Sequence, residues 1–157
     1  MTNCGSSCGS LPSITSGCNR TVKSLVTVSN TVYALSFVEK IGTCEGGTTH
    51  LDKFDISSNS LAYLSSSPGT KYDITACAAN SKIYILGGTG TFIGANSSVE
   101  EYDPTTKTWS TKTAIPYGGL VAHACVTVNN KIYLIGGASG GIKLNTLYVY
   151  APSFDTD

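Results

Sequence analysis

Charge is what this sequence has least of. Asp, Glu, Lys and Arg make up 13% of its 157 residues, about half of the roughly 25% found in an ordinary soluble domain. Ten Lys and Arg balance ten Asp and Glu, so the formal net charge is zero and no basic excess is available to grip phosphates. That balance argues against nucleic acid as a partner. Ser and Thr, 20 of each, take the polar positions instead. A surface of hydroxyls repels its own copies weakly, which favours association.

Long apolar runs are missing too. No stretch of about 18 apolar residues exists, so no membrane-spanning helix is expected. The opening residues MTNCGSSCGSLPSITSGC have neither the basic nor the apolar region of a secretory signal, which favours a chain that stays inside the cell. Cysteine usage points the other way. Cys4, Cys8, Cys18 and Cys44 cluster toward the N-terminus, and Cys77 and Cys125 sit in apolar runs. An even count with little charge suits a secreted protein, in which Asn19-Arg-Thr and Asn96-Ser-Ser would be glycosylation acceptors. Both compartments stay open.

Catalytic and metal-binding patterns are sparse. His50 and His123 have no acidic or thiol partner at a metal-ligand spacing, and Cys4, Cys8 and Cys18 are irregularly spaced for zinc. His123 is expected to precede the inner strand of the third blade and His50 to lie just before the third strand of the first, and a surface or capping role is expected for both. No serine lies in a nucleophile-elbow sequence. No catalytic, cofactor or metal site is therefore assigned, and no cofactor is expected.

What the sequence does have is repetition. Residues 76–88 read ACAANSKIYILGG and residues 124–137 read ACVTVNNKIYLIGG, one residue longer. Val99-Glu-Glu-Tyr-Asp-Pro is followed by Trp109, and Tyr148-Val-Tyr150-Ala-Pro occupies the same place one unit later. Further back, Val32-Tyr33-Ala-Leu echoes Ile83-Tyr84-Ile-Leu, and Phe54-Asp55 echoes Tyr102-Asp103. Each unit alternates apolar and polar residues in short runs between turn signals, the pattern of antiparallel strands. In the middle unit the runs are 74–80, 82–86, 98–102 and 108–113. Asn80-Ser81 and Asn129-Asn130 favour tight hairpins with positive φ, and Asp103-Pro104 starts another turn.

A period near 50 with a Gly-Gly doublet, a Tyr-Asp-Pro turn and a following Trp resembles the kelch repeat, one class of β-propeller blade. The middle unit carries Gly87, Gly88, Tyr102, Asp103 and Trp109 in order. The third has Gly136, Gly137 and Tyr150, with Ala151 in place of Asp. The first is divergent, with Ser36-Phe37 where the glycines should stand and Leu61 where the Trp should be. The resemblance implies an all-β fold of four-stranded antiparallel blades, three per chain, forming a half or partial propeller. Blades are expected over 24–73, 74–122 and 123–157, the last short of its outer strand, which the N-terminal segment 1–23 is placed to supply. The glycine doublets, the tyrosines and Trp109 are expected to serve packing. Cys77 and Cys125, 48 residues apart on equivalent inner strands, are expected to be separate buried thiols, too distant for a disulfide.

The resemblance implies a non-catalytic interaction or assembly module that binds a protein partner through loops and completes its propeller by self-association or with another chain. The candidate loop residues are Lys71, Tyr72, Phe92, Tyr117, His123 and Lys143. Two other readings remain open: a carbohydrate-binding or sugar-mutarotase-like propeller enzyme made by two chains, and a structural subunit of a filament. An open three-blade wedge would expose two apolar blade faces, which proteins usually avoid.

Overall fold

The computed structural model describes residues 20–39, 47–69, 71–90, 94–116 and 118–152. Among them there is no helix, and the chain is a series of antiparallel strands. The first sheet runs β1 (Arg20–Val28), β2 (Thr31–Val38), β3 (Thr48–Asp55) and β4 (Ser60–Ser66), each paired to the next. A two-stranded pair, β5 (Lys71–Tyr72) with β8 (Thr89–Gly90), flanks the second sheet. That sheet contains β6 (Thr75–Ala79), β7 (Lys82–Leu86), β9 (Val99–Asp103) and β10 (Thr108–Lys112). The third sheet, three-stranded among the described residues, pairs β11 (Ala124–Val128) with β12 (Lys131–Ile135) and β12 with β15 (Leu147–Tyr150). The hairpin of β13 (Ala138–Ser139) and β14 (Ile142–Lys143) projects beside it. β1 begins inside the segment 1–23. The outer-strand role expected of the remainder of that segment lies outside the described residues.

Turn chemistry fixes where each blade folds back. The three first hairpins carry two consecutive residues at positive φ: Ser29 and Asn30 at 45° and 62°, Asn80 and Ser81 at 49° and 61°, Asn129 and Asn130 at 50° and 58°. This is the conformation that matches the right-handed twist of the flanking strands. At the far end of the middle blade Asp103 accepts the Thr105 N–H at 2.7 Å, and Asp55 accepts the Ser57 N–H at 2.8 Å at the same place in the first blade. The Thr105 N–H holds the Asp103 carboxyl below the ordinary aspartate range, and the Ser57 hydroxyl at 2.6 Å, with the Ser58 and Ser57 N–H groups, lowers that of Asp55 to about 2. The two turns are thus the same device, despite the divergence of the first unit.

The sheets stack face to face with the first strand of each blade lying against its neighbour. Val26, Tyr33, Leu35 and Leu51 of the first blade pack on Ile74, Ile83, Ile85 and Tyr102 of the second. The opposite face of the second blade, with Tyr84, Leu86 and Val99, packs on Ile132 and Leu134 of the third. Side chains alternate across each strand, so the middle sheet buries both faces. Trp109 stacks on Tyr102 with ring centroids 5.0 Å apart, and its indole N–H donates to Ser65 of the first blade at 2.9 Å. Tyr84 lies 5.9 Å from Tyr150 across the second junction.

The glycine doublets end the second strand of their blades against foreign backbone. Gly87 has φ of 64°, and a Cβ there would lie 2.3 Å from the Leu120 carbonyl oxygen; at Gly137 it would lie 2.6 Å from that of Val121. Gly88 and Gly136 also have positive φ. In the first blade Ser36 and Phe37 impose no such end, and β2 continues to Val38.

Two expectations fail. Cys77 and Cys125 are joined in a disulfide, with Cα atoms 6.2 Å apart. The error was one of register. Counted from the hairpin, Cys77 is three residues before Asn80 whereas Cys125 is four before Asn129, so the two are not equivalent. In a strand of period two, one step turns a side chain to the opposite face. Cys77 therefore looks toward the third blade and Cys125 toward the second. His50, expected just before the third strand, lies inside β3, opposite Ser36 of β2.

Candidate functional site

Lys71 and His123, two of the six candidate loop residues, are interior. Lys71 is 1% exposed, and its Nζ lies 3.1 Å from Glu100 Oε1. Ser67 donates its hydroxyl to the other carboxylate oxygen, and Thr49 donates to the Lys71 carbonyl at 3.0 Å. Burial lowers the Lys71 pKa, opposed by the Glu100 charge. The first blade repeats the arrangement on the equivalent strand: Arg20 donates to both oxygens of buried Asp52 at 3.0 and 3.2 Å, joined by the Ser36 hydroxyl at 3.2 Å. These ion pairs were not expected from the sequence. Their acids stand at the same strand-three position, which is a signal the repeat contained.

His123 is 6% exposed, so the expected surface or capping role is not what the structure shows. Its ring sits between the two doublets, 3.2 Å from where a Gly87 Cβ would be. Burial alone lowers its pKa, and its carbonyl accepts the Thr75 hydroxyl at 2.8 Å. Tyr72 is partly exposed and leans on Phe37, with ring centroids 4.2 Å apart. Lys143 is exposed on β14. Phe92 and Tyr117 lie outside the described residues. Among those described, the candidates do not form one surface.

No group of three His, Cys, Asp or Glu among the described residues is placed to hold a metal ion. A pocket of about 240 Å³ opens between the end of the second blade and β15, lined by Ile115, Pro116, Leu134 and Val149 among others. Its lining is mainly apolar, with hydroxyl groups on Thr113, Tyr148 and Tyr150. Near the second junction, Glu101 receives the Tyr84 hydroxyl at 2.6 Å and the Lys82 ammonium at 2.7 Å, a satisfied network with no spare group for chemistry.

The extensive unmatched features are the two end faces of the stack. On the third blade, Val126, Val128, Ile135, Leu147 and Val149 are all exposed. They share the face on which the middle blade carries Cys77, Tyr84 and Leu86, all buried. On the first blade, Val22 and Leu25 are exposed on the opposite face, beside partly buried Val32 and Phe54. The residues matching Val32 and Phe54 in register are Ile83 and Tyr102, which are buried against the first blade.

Comparison with known proteins bears on what such blades are. The family model of the kelch motif matches residues 71–113 and 119–156, just over half of the chain. The chain belongs to the kelch-repeat family. The first blade lies outside both matches yet has the same four-strand order as the second, so the fold outlasts the motif there. The chain is 33% identical over 102 residues to an F-box/kelch-repeat protein of Arabidopsis thaliana, covering 61% of this chain and 26% of that one. It is 28% identical over 142 residues to alpha-scruin of Limulus polyphemus, covering 88% of this chain and 15% of that protein. It is 29% identical over 115 residues to kelch domain-containing protein 10 of Xenopus tropicalis, covering 64% and 28%. The kelch chain thus spans less than a third of the length of each of these relatives.

Proposed function

We propose that this kelch chain is a non-catalytic protein-interaction module whose blades complete a propeller through the two end faces of the stack. The observation that carries the reading is the contrast between equivalent surfaces. Wherever one blade meets the next inside the chain, the strand faces are buried; the outward face of the third blade carries five apolar side chains exposed, and that of the first exposes Val22 and Leu25 on β1 beside a buried centre of Ala34, Ser36, Val38 and Asp52. Fully burying a Val, Leu or Ile side chain contributes about 1.5–3 kcal/mol, so covering even part of five such residues on the third blade gives a substantial driving force. Family membership supports the same reading, since rigid blades present surfaces and loops to protein partners.

The test is chemical cross-linking of the pure concentrated chain and of the chain added to cell extract, each compared with Ile135→Asp/Leu147→Asp. The variant is expected to keep its Cys77–Cys125 bond and to lose its cross-links. Cross-links indifferent to the substitution would overturn the reading. So would a saturable rise in melting temperature with any of a panel of monosaccharides, because a ligand that binds only the folded state stabilises it.

A further inference from the structure

We propose that the occupant of the end faces is a second copy of this chain, and that two copies close a six-bladed ring in a definite register. This rests on the interaction-module reading above and specifies its partner.

Blade count comes first. Propeller rings close with about four to eight blades, and the described chain supplies three sheets stacked in one direction. Two copies of the three described sheets make six, inside that range. The exposed face of the third blade is the side that accepts a following blade, and that of the first is the side that accepts a preceding one. The contact is therefore heterologous, and it closes after one rotation if the ring holds two chains.

The two internal junctions fix the register. Count backward from the first residue of each blade's hairpin: Ser29, Asn80 and Asn129. At the first junction the residue three before, Val26, shares a core cluster with the residue four before in the next blade, Ala76. At the second, the corresponding pair is Cys77 and Cys125, close enough to be bonded. Carried one step further, the pair is Val126 of one copy and Leu25 of the other, which are 47% and 63% exposed. One hairpin-tip bond adds to this register. Asn130 Oδ1 accepts the Asn80 N–H at 3.3 Å across the second junction. In the next register step the accepting position is filled by Asn30, which retains the amide, and the donor is the Asn129 N–H. Zero net charge leaves no overall repulsion between copies.

The experiment uses the 157-residue chain with Cys4, Cys8, Cys18 and Cys44 changed to Ser, so that only designed thiols report. Native mass by light scattering behind a sizing column is expected close to twice 16.3 kDa. Leu25→Cys/Val126→Cys should give, on mild oxidation, a band of two chains on a non-reducing gel, and either single substitution should give none. Val126→Asp should give a single-chain mass while keeping the Cys77–Cys125 bond, which reports that the blades still fold. A single-chain mass for the starting protein would overturn the proposal, and so would a ladder of ever larger cross-linked species, the sign of a contact that does not close. If the pure chain is monomeric while extract cross-links still depend on Ile135 and Leu147, the second copy is wrong and the interaction module stands. If neither set depends on the face, both fail.

Discussion

Lys71 and Glu100 meet where the first two blades join, with almost no water to share their charges. A buried pair is weak evidence of net stability, but removing one member strands the other, at a cost of about 3–5 kcal/mol. Lys71→Met is expected to lower stability by that amount in urea denaturation, and Lys71→Met/Glu100→Leu to recover more than half of the loss. His123 gives a pH dependence of known sign. Burial depresses its folded pKa below the unfolded value near 6.5, so the unfolded chain binds the proton first. Stability from this group is complete above about pH 6.5 and is lost as pH falls toward the folded pKa, with a slope of up to about 1.4 kcal/mol per pH unit. His50 shifts the same way, by burial first and the Arg20 charge second, against Asp52. His123→Gln should flatten, though not abolish, the acid loss between about pH 6.5 and 5. An unchanged slope would show that His123 is not held neutral in the folded chain.

At the scale of the element, a strand's phase decides what its side chains meet. The one-residue difference between ACAANSKIYILGG and ACVTVNNKIYLIGG turns Cys125 to face Cys77, and the bond ties β6 to β11 across the second junction. For a separation of 48 residues the chain-entropy account puts its contribution at about 4 kcal/mol. With Cys4, Cys8, Cys18 and Cys44 changed to Ser in both chains, Cys77→Ser/Cys125→Ser should therefore unfold at clearly lower denaturant concentration, and reductant should have the same effect on the chain that keeps the bond and none on the variant. Equal midpoints with and without the bond would show that apolar packing alone secures the third blade. The hairpins and Asp-capped turns were legible in the sequence because their chemistry is contained in two to four adjacent residues. The buried ion pairs were not, because each joins residues about 30 positions apart.

For the whole molecule, the proposed association acts through the end faces. Contact through Val126, Ile135, Leu147 and Leu25 would remove apolar surface from water, and the chain has no net charge to screen. Raising salt to 1 M shortens the screening length to about 3 Å and should leave the associated mass unchanged in light scattering. Dissociation under those conditions would place the attraction in charged groups instead. Lys143 and Tyr72 remain at the surface, while Lys71 and His123 belong to the interior that holds the blades together.

By itself the sequence determined an all-β chain of kelch blades and the sites of the tight turns. Those follow from local spacing and turn chemistry, which act within a few residues. Only the tertiary structure decided that Cys77 meets Cys125, that Lys71 and His123 are enclosed, and which side chains form the end faces. Each of these depends on which side of a strand faces the neighbouring sheet. That orientation inverts with a single residue of register, and it is fixed by packing between segments some 50 residues apart.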